Sequence, residues 1–198
     1  MKEKLVFEEV FNQVIRQPNF WLKLLIGGSL SFIPFVNIFA FGYLYRFSAK
    51  VRLTGNSGLP EWNDWSGLFA DGLKFGVIWI IYWLLPMLLA VMFSVFFASL
   101  GFGAFAYLFV ALVFAMVSIL FCSALYRFHI HSDFKALLNI TLVARMSFIG
   151  RNHLILPVLV FSGICALALP FYGIAFFLGF LLLIVQTSLC FRLFESRK

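Results

Sequence analysis

Three groups of residues have side chains able to bind or catalyse. The first is His129-Ile130-His131-Ser132-Asp133, with His153 further along. A metal centre needs converging donors, and an i, i+2 pair on a helix turns its imidazoles to different faces. Only an extended exit from a helix brings His129, His131 and Asp133 together; the alternative is interfacial imidazoles beside lipid phosphates. The second group is Glu61, Asp64 and Asp71, carboxylates able to act as acid and base at a membrane surface. Helix capping and loop anchoring account for the same three without chemistry. The third is Gln186, the one polar amide deep in a long apolar run.

No catalytic motif accompanies these groups. GxSxG, HExxH, a phosphate-binding loop and GxGxxG after a strand are all missing from the sequence, and Gly101-Phe102-Gly103 reads as a turn. Cys122, Cys165 and Cys190 lie in apolar segments with no CxxC spacing, so they read as small apolar side chains outside any disulfide framework. The expectation is a protein with no catalytic residues, no cofactor and no assigned metal.

The surroundings of these residues are apolar. Of 198 residues 63% are hydrophobic and 12% charged, against about a quarter charged in soluble domains, which makes this an integral membrane protein on composition, and the long uncharged runs below read as an all-α fold. The net charge of +7 sits at the ends of apolar segments. That placement suits topology and anionic headgroups rather than nucleic acid. The segment before Pro18 has acids at Glu3, Glu8 and Glu9 and no continuous apolar core, unlike a cleavable signal peptide.

The longest apolar run is Phe75 to Tyr126, 52 residues without a charge or a histidine. One span needs about 20 residues, so this is two, joined at the small residues around Gly101 and Gly103. Leu154 to Phe191 is 38 uncharged residues, about 57 Å as a helix, and must fold back. Pro170 and Gly173 mark the turn. Phe20 to Val51 admits one kinked span or two short helices meeting at Pro34 and Asn37. The halves Phe20–Ile33 and Ile38–Leu53 would be about 21 and 24 Å long.

Charge decides between them. With three hairpins, all 15 Lys and Arg fall on one side; a single first span would put 11 of them outside, against the positive-inside rule. The predicted fold is therefore six membrane helices as three hairpins in one membrane domain, 1–198. Both termini are cytoplasmic, in the inner membrane. Its parts are 1–53, 54–128 and 129–198, each opening with an amphipathic interfacial helix. These helices are Leu5–Gln17, then Trp62–Leu73 with Trp62, Trp65, Leu68, Phe69 and Leu73 on one face. The third is His131–Ile149, with Phe134, Leu137, Leu138, Leu142 and Phe148 on its apolar face and Ser132 as its N-cap.

The most distinctive string is Leu59-Pro60-Glu61-Trp62-Asn63-Asp64-Trp65, running into Gly67-Leu68-Phe69-Ala70-Asp71-Gly72-Leu73-Lys74. Asn63 or Asp64 can cap the helix, the two Trp suit the headgroup level, and Asp71 and Lys74 are one turn apart. Here the chain resembles domain of unknown function 4013, an uncharacterised family of prokaryotic multi-pass membrane proteins. The resemblance rests on Leu-Pro-Glu-Trp-x-x-Trp leading into Gly-Leu-Lys, and on Gly27, Gly28, Ile33 and Pro34 followed by Gly42-Tyr43-Leu44 and Arg46. Where members have Gly after the first Pro turn, this chain has Asn37. The resemblance supports the topology and implies no activity.

On these grounds the expected function is a lipid-interacting scaffold or accessory subunit, its short first and third hairpins fitting the bilayer poorly. The alternative is a permease or channel for an apolar or amphipathic molecule, built on the central hairpin and Gln186. A lipid-modifying enzyme at the interface comes third. Partners would be anionic lipids, with Ala111/Ala115 and Gly72/Gly76 at small-xxx-small spacing. That spacing suits packing within the chain, or contact with a second copy or a membrane partner subunit.

Overall fold

The computed structural model describes residues 7–195. Seven helices make up the described chain. Phe7–Ile15 (α1) buries Val10 and Val14 and stops short of Pro18; Leu5, the expected start of this helix, lies outside the described residues. The first hairpin is Phe20–Phe32 (α2) and Asn37–Thr54 (α3). Pro34 has no N–H and forces Ile33 into extended backbone, and Phe35 takes a left-handed φ of 67° to reverse the chain.

Asp64 starts the next helix, its Oδ1 accepting from the Gly67 N–H at 3.2 Å. This helix, Trp65–Ser99 (α4), is 35 residues long. Ile80–Leu84 inside it is a π turn, in which the Leu85 N–H reaches back to the Ile80 carbonyl. Pro86 follows and cannot donate, which removes the ordinary partner of the Tyr82 carbonyl. Gly101, at φ 90°, turns the chain into Gly103–His131 (α5). A 3-10 turn at Phe134–Leu137 leads to Ile140–Leu167 (α6), and another at Leu169–Phe171 to Tyr172–Glu195 (α7). α4, α5, α6 and α7 are long and apolar enough to cross a membrane, and α2 is a shorter apolar helix.

α7 is the central post, buried without a break from Gly179 to Ser188 and packed by α2, α3, α5 and α6. Phe121 and Phe161 pack on its Phe180, and its Phe177 meets Tyr43. The closest helix pair is α3 on α4. A Cβ on Gly42 would lie 1.9 Å from the Leu68 carbonyl oxygen, and one on Gly72 1.9 Å from that of Ile38, so the backbones touch. Gly72 thus packs within the chain, while Ala111 is exposed.

The three turns lie where the sequence places them, and the first amphipathic helix, expected at Leu5–Gln17, is α1, but the second and third are not separate elements. Of the segments expected at Trp62–Leu73 and His131–Ile149, only Trp65–Leu73 and Ile140–Ile149 are helical openings of α4 and α6, continuous with the apolar helices that follow, while Trp62–Asp64 is loop and His131 closes α5. A charge such as Lys74 does not stop a helix, and in α4 and α6 neither do Pro86 and Pro157. Ser132, expected as an N-cap, ends α5 at φ 51°, and Asn139 caps α6 by accepting from the Leu142 N–H. The buried face of α4 is Leu68, Gly72, Phe75 and Ile78, whereas Trp65, Phe69 and Leu73 are exposed. In the third segment Leu137 is buried, but Phe134, Leu138, Leu142 and Phe148 are exposed.

Helix length separates the hairpins. At 1.5 Å per residue α2 is about 20 Å long, while α4, α5, α6 and α7 are about 52, 44, 42 and 36 Å. The third hairpin is therefore not short; only the first is. The Tyr172 hydroxyl donates to the Phe32 carbonyl at 3.1 Å, tying the turns of the first and third hairpins to one level. Beyond that level the central hairpin continues. In α4 after the π turn only Ala90 is buried, this stretch packs chiefly on α5, and in α5 before Val117 only Ala106 is buried.

Candidate functional site

At the charged end, the loop between α3 and α4 is clamped at almost every residue. Gly55 leaves α3 at a left-handed φ of 71°. Gln17, at the end of α1, grips the loop with both ends of its amide: it donates to the Ser57 carbonyl and accepts from the Leu59 N–H at 2.6 Å. Tyr43 donates to the Pro60 carbonyl at 3.0 Å. Lys23, only 7% exposed, meets Glu61 at 2.6 Å. Trp62 stacks on Tyr43 with ring centroids 4.2 Å apart and 19° between planes. This half-buried ring belongs to the packing, whereas Trp65, read with it as a headgroup anchor, is half-exposed.

Arg46 is the hub. Its Nη2 donates to Asp64 Oδ2 at 2.7 Å and its Nε to Asp71 Oδ2 at 2.9 Å, while Lys74 reaches Asp71 Oδ1 at 3.1 Å. The i, i+3 pair read from spacing is therefore formed, as part of a four-residue network. Hydrogen bonds from Arg46, the Gly67 N–H and the Ser66 hydroxyl hold the Asp64 carboxyl below the usual carboxylate range. The ammonium of Lys74 also sits 5.5 Å from the Tyr45 ring centroid. Glu61 and Asp64, the candidate acid–base pair, are each held by a different cation.

Between α1, the start of α2 and this loop lies a cavity of about 630 Å³, lined by Gln13, Gln17, Lys23, Asn56, Ser57 and Glu61 among others. Its polar walls are three amides, one hydroxyl, one cation and one anion. Such a lining takes up hydrogen-bonding groups and carries no nucleophile–base pair.

The histidines do not converge. His129 is tucked against Tyr45 at 4.5 Å, and its carbonyl accepts from Arg52 at 2.6 Å. His131 is exposed, Asp133 caps the 3-10 turn through the Lys135 N–H, and His153 lies near Phe194. Among the described residues no group of three or more His, Cys, Asp or Glu is placed to hold a metal ion. The cysteines are free thiols, with Cys122 and Cys190 buried. Gln186 is 1% exposed, and its Oε1 is buried without a hydrogen-bond partner.

A second cavity, about 260 Å³, lies near the turns of the first and third hairpins, and Phe177 in its wall also packs on Tyr43 and Trp62 of the loop clamp. It is lined mainly by Phe41, Trp79, Trp83, Phe176, Phe177 and Phe180, with Ser31, Asn37, Tyr172 and Gly173 also at its wall. Of the residues singled out from sequence, Asn37 and Gly173 touch it; Pro34, Pro170, Gly101, Gly103 and Gln186 do not. Sequence reasoning missed Arg46, Lys23 and Gln17 as organisers of the loop. Lys23 and Arg46 carried a signal, as the charges that close the first apolar segment at either end.

No curated protein and no solved structure matches the chain significantly. A family model does match, described as protein of unknown function (DUF4013), over residues 26–185. That range takes in the Arg46 network and both outer turns, and leaves α1, Lys23 and Gln186 outside. Spanning most of the chain, the match makes this protein a member of the DUF4013 family.

Proposed function

We propose that this chain is a non-enzymatic, multi-pass membrane protein that works on the bilayer itself, as a lipid-interacting scaffold or accessory subunit. On this reading it resides in the inner membrane with its charged end and both termini cytoplasmic. Its basic residues and the polar 630 Å³ cavity meet anionic headgroups. The observation that carries the proposal is the mismatch between hairpins. α2 is about 20 Å long against a hydrocarbon core of about 30 Å, whereas α4 exceeds that thickness. A first hairpin that enters at the charged end turns back inside the core, and the Tyr172–Phe32 bond holds the third turn beside it. The exposed residues at these turns suit that depth: Phe35 is 91% exposed, Leu167 89% and Phe171 61%. Lipid facing this pair of turns must thin or tilt to cover them.

Cysteine accessibility tests this directly, with single Cys at Asn37, Gly101, Tyr172 and Trp65 in a Cys-free background. Gly101→Cys should label only from outside and Trp65→Cys only from inside, with Asn37→Cys and Tyr172→Cys reached from neither face. Labelling of the last two from outside would make all three hairpins full spans and remove the mismatch. Lipid extracted with the purified protein should be enriched in anionic species; unchanged bulk composition counts against the proposal. The permease alternative draws less support, because Gln186 sits in close-packed α7 and the aromatic cavity does not include it.

A further inference from the structure

We infer that the groove between α4 and the α5–α6 linker holds a phospholipid of the surrounding bilayer, with one acyl chain laid in the groove and an anionic phosphate at Lys135. The inference rests on the reading that the charged end meets anionic headgroups, and it names the place and the kind of lipid. The groove encloses about 330 Å³, within the range of small-molecule sites. Val77 and Ile81 of α4 line one side, and Phe134, Leu137, Leu138 and Ile140 the other. The 3-10 turn of the linker packs chiefly on α5, and the Tyr82 side chain bridges it to α4, its hydroxyl donating to the Leu137 carbonyl. Tyr82 lies in the π turn Ile80–Leu84, and such turns recur at functional sites.

Three observations define the occupant. The first is the character of the walls. Val77, Ile81, Phe134, Leu138 and Ile140 are exposed, and the one hydroxyl in the groove, that of Tyr82, is committed to Leu137. A gap beside hydrocarbon forfeits dispersion contacts that a flexible alkyl chain recovers, and these mostly aliphatic walls offer a flat ring little to stack on. The second is depth. Lys74, the last charge of α4 before the long apolar run, stands three residues ahead of Val77 and about 10 Å along the helix from Ile81. The groove therefore starts near the charged end and runs into the hydrocarbon. The third is charge. Among the described residues that line the groove, Lys135 is the one that carries a charge. Its ammonium has no carboxylate partner among the described residues, because the nearby Asp133 accepts from the Lys135 backbone N–H at 2.9 Å instead. A long-stemmed cation at the mouth of an apolar groove matches a phosphate above an acyl chain.

The test uses the full chain, delipidated in a non-ionic detergent, with dioleoyl phosphatidylglycerol and dioleoyl phosphatidylcholine as probes and native mass spectrometry to count bound lipid. The first phosphatidylglycerol should bind about fivefold more tightly than phosphatidylcholine, the scale of one lysine at a membrane surface. Lys135→Gln should remove that preference and leave phosphatidylcholine unchanged. Arg145→Gln, at an exposed basic residue outside the groove, should keep it. Ile81→Trp, which brings a bulky ring into the groove, should weaken both lipids. Melting temperatures close to the parent's establish folding, and Lys135→Gln, a change at an exposed side chain, is sufficient if Ile81→Trp does not fold. Equal affinity of the parent for the two lipids, indifference to Lys135→Gln, equal loss in Lys135→Gln and Arg145→Gln, or indifference of both lipids to a folded Ile81→Trp overturns the inference. The scaffold reading fails separately. Extracted lipid without anionic enrichment counts against that reading even where the fivefold preference holds, whereas enrichment that Lys135→Gln leaves unchanged, with no preference lost, overturns this site alone.

Discussion

Replacing Gly42 by leucine is expected to abolish the folded, monodisperse protein. The new Cβ would sit 1.9 Å from the Leu68 carbonyl oxygen and 2.7 Å from its carbon, both backbone atoms of a neighbouring helix. A side chain in the way swings aside, and overpacking of that kind costs about 1–3 kcal/mol. A helix backbone cannot do so, and α3 must separate from α4 along the whole contact that also includes Gly72 against Ile38. Size-exclusion chromatography after detergent extraction is the measurement, and Gly72→Leu should fail in the same way. Gly163→Ala is the matched control. Its Cβ meets nothing within 4 Å, and alanine is favoured over glycine inside a helix by about 1 kcal/mol, so its melting temperature should hold or rise. A folded Gly42→Leu protein with an unchanged melting temperature would show that the α3–α4 contact is looser than described.

The second large effect belongs to Arg46. Arg46→Ala leaves Asp64 and Asp71 without their shared partner, and Asp71 and Arg46 have side chains only 20% and 24% exposed. For the half-buried Asp71 contact such hydrogen bonds are worth about 1.5–3 kcal/mol, while solvent screens the exposed Asp64. A loss of about 2 kcal/mol, read as a lower melting temperature, is expected. Arg46→Lys should recover little, because a single ammonium cannot span two carboxylates from a rigid fork. The acid limb of the stability profile should change as well. The Asp64 carboxyl is held below its ordinary value, so its stabilisation is present above the unfolded-state value of about 4. It is lost as pH falls through the lower folded-state value. Without Arg46 that limb flattens; a variant with the parent's acid limb would assign the depression to the Gly67 and Ser66 hydrogen bonds instead.

The places where the chain reverses were legible because turn chemistry is local: Pro34, Gly101 and Pro170 need no tertiary information. Where the chain does not break was harder to see. Asp64 and Asn139 start helices, but nothing after either one stops the helix until Ser99 and Leu167, and the intervening charges Lys74, Arg145 and Arg151 only look like boundaries. On α4 the apolar residues read as one face divide: Leu68 is buried, while Trp65, Phe69 and Leu73 are exposed. Apolar stripes point inward in water, but a helix facing hydrocarbon turns its bulky Phe69 and Leu73 outward and its Gly72 toward the neighbouring helix. The loop string was found, yet its organiser was not. Arg46, on α3, joins two carboxylates 18 and 25 residues away, a relation that only the packing of α3 on α4 creates.

The end of the molecule beyond the Tyr172–Phe32 level is two helices wide, whereas the charged end gathers α2, α3, α4, α5, α6 and α7 with α1 laid against them. In the proposed placement this taper makes the protein a wedge, because it displaces far more area from one leaflet than from the other. A flat bilayer must absorb that difference as elastic strain, and a bent one relieves it. Reconstituted into vesicles drawn out as tubes of controlled radius, the protein would gather where its broad end faces the convex side, and its local density would rise as the tube narrows.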